Sequence, residues 1–191
     1  MPRSRNPQAK IALLQDVVNH VLAEGLSDLS LRPLGRAVGV SPRTLLYHFG
    51  SKEALVLAVV DEARKRQQAL LEGWLKRSAE YDVGTLLLGA WRWLSAPRND
   101  RFLRLFFETY GAGLQHRRRY GGFLRGAVDD WVDFFGKLLA AGGVDDADRA
   151  GNLATILVAV TRGLLLDLLA TGDRARADRA FRSFVTAIEL P

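Results

Sequence analysis

The stretch between residues 29 and 55, LSLRPLGRAVGVSPRTLLYHFGSKEAL, limits the possible fold more than any other part of this chain. Ser30 is a good N-cap residue, and apolar residues then recur at helical spacing up to Gly39, where a glycine can end a helix in the left-handed conformation. Ser41 and Pro42 supply a second cap and a proline at the first helical position. The pattern predicts two short helices, the second running from Pro42 to residue 48, joined by a three-residue turn.

Two short helices joined by a tight glycine turn are typical of a helix-turn-helix, whose second helix enters the major groove of DNA. Basic residues stand at Arg32, Arg36, Arg43 and Lys52, and there is no Asp or Glu between Ser30 and Lys52. Residues 1–52 hold seven of the 27 Lys and Arg against three of the 21 acidic residues, which is +4 of the chain's net +6. Positive charge is therefore concentrated where binding to phosphate requires it.

The start of the second helix is where side chains reach base edges. We expect Arg43 to bond a guanine edge and Thr44 to meet a thymine methyl group or a phosphate. Leu45 and Phe49, four residues apart, should pack inward. For Arg32 and Arg36 the pattern fits two alternatives equally well: a contact with the DNA backbone, or a side chain that is only solvated. The predicted DNA-contacting residues are Arg32, Ser41, Pro42, Arg43, Thr44, Tyr47, His48 and Lys52.

The segment GVSPRTLLYHFGSKEAL resembles the core signature of the tetracycline-repressor-like (TetR) family. The matching positions are Gly39, Val40, Ser41, Thr44, Leu45, His48, Phe49, Ser51, Lys52, Glu53 and Leu55. Leu46 departs, because the family usually has tyrosine there. The resemblance implies an all-α transcriptional regulator with a DNA-binding head, residues 1–52, and a ligand-binding and dimerisation body, residues 53–191. It also implies that Lys52 contacts phosphate, and that an effector releases a repressor from a palindromic operator by shifting the helix that links head and body.

The rest of the chain keeps helical periodicity. Residues 1–8 form an arm that either touches DNA or is solvated, and a helix follows from Ala9 to Gly25. A helix from Lys52 to about Ser78, roughly 40 Å long, would link the head to the body. Asp145 is the predicted cap after Gly142-Gly143. The run Arg117-Arg118-Arg119 could bind nucleic acid or an anion, but the favoured prediction is a solvated loop far from the head. Further helices are predicted near 83–95, 98–116, 121–141, 146–170 and 174–189.

The last two predicted helices have more apolar surface than one core needs, since the second half of 146–170 is apolar on nearly every side. The pattern indicates a symmetric four-helix interface between two copies, although a single-chain core filled by both helices is an alternative. The resemblance favours the dimer. The predicted interface residues are Leu153, Leu157, Val160, Leu164, Leu168, Phe181, Phe184, Val185 and Ile188.

Residues 74–135 are rich in aromatic side chains. They predict either an apolar pocket for a small, apolar or aromatic effector, oriented by a few polar groups, or an ordinary core. The pocket hypothesis depends on the family resemblance. The candidate pocket residues are Trp74, Trp91, Phe106, Phe107, Glu108, Tyr110, Trp131 and Phe135.

Other functions find little support in the sequence. The three histidines are scattered, there is no cysteine, and no glycine loop or nucleophile elbow appears, so we expect no catalytic residue, cofactor or metal site. No apolar run approaches the roughly 20 residues needed to span a membrane, and the absence of cysteine fits a cytoplasmic protein. The remaining alternatives are a helical small-molecule-binding protein without DNA function, and an activator in place of a repressor.

Overall fold

A computed structural model describes residues 7–24, 30–77 and 81–188, without the side chain of Leu75. Most of the predicted arm, residues 1–8, lies outside the described residues, as do Gly25 and Ser78, the expected ends of two helices. Pro7 and Gln8, the last two residues of that arm, already belong to the first helix. The described residues form helices and turns without a strand, which confirms the all-α prediction.

The helices follow one another closely along the chain. A short 3₁₀ turn, Pro97–Asn99, leads into α6. The helices are α1 Pro7–Glu24, α2 Leu31–Ala37, α3 Pro42–Phe49, α4 Lys52–Arg77, α5 Val83–Leu94, α6 Asp100–Gln115, α7 Arg117–Ala141, α8 Ala147–Thr171 and α9 Arg174–Ala187.

Packing divides the chain into two units, and the first comprises residues 1–65 and 101–123. It contains α1 to α3, the first half of α4, α6 and the beginning of α7. The guanidinium of Arg101 donates to the carbonyl oxygens of Ala23 and Glu24, at 3.3 and 2.7 Å, so α6 supplies partners for the last carbonyls of α1. Its fully buried apolar residues include Val17, Val18, Leu45, Leu55, Val59 and Val60.

The second unit comprises residues 66–100 and 124–191. Helix α9 packs against α8 and α5. The Trp91 ring stacks on Phe181 with ring centroids 4.8 Å apart, and its indole N–H donates to Asp178 at 2.7 Å. A buried indole with a satisfied N–H fixes α5 on α9. The side chains of Asp82, Asp146 and Asp173 cap α5, α8 and α9 by accepting a backbone N–H from the third helical residue.

Two local predictions are wrong in detail, and a third is right in position only. Ser30 stands at the N-cap of α2, but its side chain makes no cap hydrogen bond. The cap of α8 is Asp146 in place of Asp145. Helix α7 begins at Arg117, four residues before the predicted start, and continues through the glycine pair at 121–122. Tyr120 and Phe123, both buried, hold this first part of α7 in place, and this packing outweighs the low helix propensity of glycine.

Candidate nucleic-acid interface

The turn between α2 and α3 is built as the sequence predicted, with one more residue. Gly39 has a φ of 70°, a left-handed conformation that favours glycine. The Ser41 hydroxyl accepts the backbone N–H of Thr44 at 3.0 Å, and Pro42 begins α3. Because α2 ends at Ala37, the connection has four residues in place of three. The start of α3 is thereby fixed by a side-chain cap.

A close backbone approach at Gly35 completes this corner, and sequence analysis missed it. The Val40 N–H donates to the carbonyl of Gly35 at 2.8 Å. A Cβ atom added at Gly35 would lie 2.5 Å from the carbonyl oxygen of Val40. That oxygen is backbone and cannot move aside cheaply. An isolated glycine inside a predicted helix was the available signal for such a contact.

Gly35→Ala is therefore expected to lower the free energy of unfolding by about 1–3 kcal/mol, in the range of overpacked sites. The substitution should also shift α3. Affinity for a specific DNA site should therefore fall even at 25 °C, where the helix content should be nearly unchanged. Thermal unfolding and a DNA titration measure the two effects. Gly111→Ala is the matched control, because a Cβ there meets nothing within 4 Å. Equal stability of the two variants would show that the corner tolerates the added methyl group.

Helix α3 has an inner and an outer side. Leu45 and Phe49 are 0% and 8% exposed, which agrees with their predicted inward packing. Arg43 is exposed, and Tyr47, one turn further on, is 44% exposed. Arg43 has no hydrogen-bond or ion-pair partner in the part of the chain that the structure describes. An unneutralised guanidinium thus stands at the first turn of α3.

The other predicted DNA-contacting residues are at or near the surface of the same unit. Arg32 on α2 and Lys52 at the first position of α4 are exposed, and Ser41 is exposed at the turn. Pro42, Thr44 and His48 are partly buried. Within the described residues the ring Nδ1 of His48 is enclosed without a hydrogen-bond partner. The ring of Tyr47 meets His48 edge to face at 5.1 Å.

Two cationic groups that sequence analysis did not assign lie beside this surface. The Lys10 ammonium lies 5.4 Å from the centroid of the Phe49 ring, which brings a charge of α1 to the end of α3. Arg119 donates to the hydroxyl of Ser51 at 2.7 Å and forms a 3.5 Å ion pair with Glu53. The prediction that the arginine run lies in a loop far from the head is therefore wrong. These residues open α7 and adjoin the first turn of α4.

Hydrogen bonds and charged groups are also concentrated at the start of α4. The Ser51 hydroxyl also accepts the backbone N–H of Ala54 at 3.1 Å. The pKa of Glu53 is lowered, mainly by a backbone N–H of this first turn and by the Ser51 hydroxyl, with a smaller contribution from Arg119. Glu53 is consequently a carboxylate at neutral pH, and it offsets part of the charge of Arg119.

The residues of this interface also resemble those of known proteins. The family model described as bacterial regulatory proteins of the tetR family matches residues 21–59, which contain α2, α3 and the first turns of α4. Within residues 21–59 the chain is similar to the TetR family.

TetR-family relatives extend the likeness beyond the helix-turn-helix. The transcriptional regulator EthR of Mycobacterium tuberculosis is 26% identical over 110 residues, covering 58% of this chain and 45% of EthR. The chain thus spans less than half the length of that relative. The multidrug binding protein EbrR, solved with imidazole, is 25% identical with a TM-score of 0.66, covering 100% of this chain and 94% of EbrR. A Rhodococcus protein assigned to the TetR family gives a TM-score of 0.70 at 16% identity, covering 96% and 99%, and shows the fold alone.

The eight candidate pocket residues are divided between the two units. Phe106, Phe107, Glu108 and Tyr110 lie on α6 in the first unit, and the others lie in the second. Phe106 is buried against four aromatic rings, Phe102, Phe107, Tyr110 and Phe123. Trp91 and Phe135 are each 2% exposed. Trp74 and Trp131 are partly buried and Glu108 is exposed. Trp91, Phe106 and Phe135 are core residues, the alternative that the sequence left open.

A different concave site opens in the second unit. This cleft, which we call the α5–α7 cleft, has a volume of about 520 Å³. None of the eight candidate residues lines it. Its lining combines aromatic and aliphatic groups with charged ends: Glu72, Lys76, Tyr81, Val83, Leu86, Phe134, Lys137, Leu138, Ala141 and Gly142.

The predicted dimer residues also separate into two groups. Leu157, Leu168, Phe181 and Val185 are between 0% and 8% exposed within the single chain, so these four serve its own core. Leu153, Val160, Leu164, Phe184 and Ile188 are partly exposed. The side of α8 that faces away from this core has an uncharged exposed strip. We call it the α8 strip, and its residues are Asn152, Thr155, Ile156, Ala159, Gly163, Leu166 and Ala170.

The α8 strip gives this helix an unusual composition for a surface helix. Ile156 and Leu166 are 46% and 48% exposed. By length and composition alone α8 could cross a membrane, which the sequence analysis did not expect, and 33% of its most apolar window is buried inside the chain. Core helices of soluble proteins meet the same criterion. Exposed apolar patches on a protein surface often mark an interaction site.

Proposed function

We propose that this protein is a sequence-specific DNA-binding transcriptional regulator that acts as a homodimer on a near-palindromic operator. The outer side of α3 is the observation that supports this function. Leu45 and Phe49 hold the helix down, while Arg43 and Tyr47 face outward and Arg43 is unneutralised. A buried inner side and a free cationic outer side are what a recognition helix requires.

The proposed DNA contacts are the residues predicted from the sequence, and all of them lie in the head, residues 1–52. Arg43 reads a base edge from the first turn of α3, with Thr44 and Tyr47 beside it. Arg32, Ser41, Pro42, His48 and Lys52 position the head on sugar and phosphate. Contacts of this second kind supply affinity without reading the sequence.

The proposed dimer forms through α8 and α9. The α8 strip supports this, because Ile156 and Leu166 leave large apolar surfaces uncovered. A Cβ atom added at Gly163 would meet nothing within 4 Å, so a second helix has room to approach the backbone there. Leu153, Val160 and Leu164 of α8, with Phe184 and Ile188 after them, are partly exposed and complete the proposed interface. A two-fold dimer presents two copies of α3, and half-sites about one helical turn apart, or a multiple of it, follow.

The effector is proposed to be a small apolar or aromatic molecule that binds in the body, residues 53–191. The α5–α7 cleft supports this, because its volume of about 520 Å³ falls within the usual range of ligand sites and its aromatic wall carries charged ends. EbrR, the multidrug binding protein at 25% identity, has been solved with ethidium as well as imidazole. The regulator would act in the cytoplasm, where it meets DNA.

Selection of bound duplexes from a random pool tests this function. The expected result is a near-palindrome whose two halves each place a guanine opposite Arg43. The selected duplex is then titrated with ethidium and imidazole as probe ligands, and release at ligand concentrations that leave unrelated complexes intact is expected. Enrichment of no sequence, with binding that salt removes entirely, would contradict regulation of specific genes.

A further inference from the structure

The first turn of α7 carries a cationic group that the helix-turn-helix does not account for. We call His116, Arg117, Arg118 and Arg119 the α7 basic turn, and all four are exposed. The turn borders a groove of about 760 Å³ in the first unit, whose lining includes Glu53. This concave surface presents more basic than acidic groups.

Arg119 fixes this turn at one place on the head. Its guanidinium donates to the Ser51 hydroxyl at 2.7 Å and pairs with Glu53 at 3.5 Å. Ser51 caps α4 and follows α3 after Gly50 alone. The α7 basic turn is thus held against the junction between the recognition helix and α4, where Lys52 is also exposed.

The charges at this place do not cancel. Glu53 is the single carboxylate among the groove's lining residues, and Arg119 already pairs with it. Arg117 and Arg118 have no hydrogen-bond or ion-pair partner in residues 7–24, 30–77 and 81–188. These two exposed guanidinium groups are thereby left for an external anion.

Helix geometry sets the reach of these two groups. Consecutive helical residues rise about 1.5 Å, so Arg117 and Arg118 begin within one turn of the residue that bonds Ser51. Their guanidinium groups stand at the ends of long, flexible stems, so both can extend from this place on the head toward a nearby phosphate. The major groove is about 12 Å wide and is bordered on both sides by phosphates. A helix seated in the groove therefore has backbone phosphates within reach of groups at its end.

We infer that Arg117 and Arg118 bind phosphates of the duplex backbone that flanks the groove holding α3. The partner is double-stranded DNA, and the contact extends the interface beyond the helix-turn-helix to a helix of the body. The inference rests on the proposed function, and it is supported by continuity with Lys52 and Ser51 and by complementary charge. The two arginines add affinity and register, while base reading stays with Arg43.

The test is the salt dependence of binding to the selected operator and to a scrambled duplex. Log K falls as log salt rises, and each lost phosphate contact reduces the steepness of that fall by about 0.9. Arg117→Ala/Arg118→Ala should therefore reduce the steepness by about 1.8 for each protomer bound. Affinity should fall by a similar factor on both duplexes. Arg117→Lys/Arg118→Lys should keep the wild-type slope, because a phosphate accepts either charge.

The matched control removes two exposed arginines of the second unit, Arg92→Ala/Arg179→Ala, and should leave the slope unchanged. An unchanged slope for Arg117→Ala/Arg118→Ala would overturn the inference while leaving the proposed function intact. Stabilisation by inorganic phosphate that depends on both arginines, with an unchanged slope, would assign the groove to a small anion instead. If wild type shows no preference for the selected operator, the proposed function itself fails.

Discussion

Ile156→Glu/Leu166→Glu is expected to yield a monomer at micromolar concentration and to weaken operator binding by roughly 10²–10⁴-fold. Both residues are nearly half exposed on the α8 strip, and a two-fold interface would bring glutamates of both copies together. Burial of a charge against an apolar surface adds a further penalty. Each head would then bind its half-site alone, without the high effective concentration that the first contact gives the second.

Light scattering and a DNA titration measure the two parts of this result. Leu70→Glu is the matched control, since Leu70 is a 64% exposed leucine of the second unit outside the strip, and this variant should remain dimeric. Circular dichroism should show the same helix content in both variants, because neither position is in a core. A double variant that still dimerises would move the interface away from α8.

Arg43→Ala is expected to cost about 1–3 kcal/mol at each half-site. A dimer with two such contacts loses about 2–6 kcal/mol, which is roughly a 30-fold to 10⁴-fold weaker complex. The reason is that Arg43 is the unneutralised cation on the outer side of α3, and alanine removes its bidentate bond to a base edge. Binding to unrelated DNA should change far less than binding to the operator.

Two further variants separate base reading from charge. Arg43→Lys keeps the charge but loses the planar fork, so it should recover binding to unrelated DNA more than binding to the operator. Arg179→Ala removes one exposed arginine of α9 and should leave both affinities unchanged. Wild-type operator affinity in Arg43→Ala would show that another residue of α3 reads the site.

The positions of the helices could be predicted because their signals are local. Ser41 and Pro42 mark the start of α3, and Asp173 marks the start of α9, through hydrogen bonds that span only a few residues. The start of α7 could not be predicted in this way. Glycines at 121 and 122 indicate a break, and it is overridden by the burial of Tyr120 and by that of Phe123, whose ring meets Phe106 of α6.

Burial of apolar residues was the least predictable property. A helix that is apolar on most sides gives no sign of which side meets its own core, and α8 shows the consequence. Leu157 and Leu168 lie inside, whereas Ile156 and Leu166 lie outside. The aromatic residues pose the same difficulty, since Trp91 and Phe106 prove to fill cores where the sequence also allowed a pocket.

By itself, the sequence determined the helix-turn-helix, its cap, its glycine corner and the outward Arg43, because each of these depends on residues within a few positions of one another. The tertiary structure alone decided that Arg119 reaches Ser51. It also decided which side of α8 faces outward. These contacts join residues whose separation along the chain, or direction around a helix, no local pattern records, and so only the packed chain fixes them.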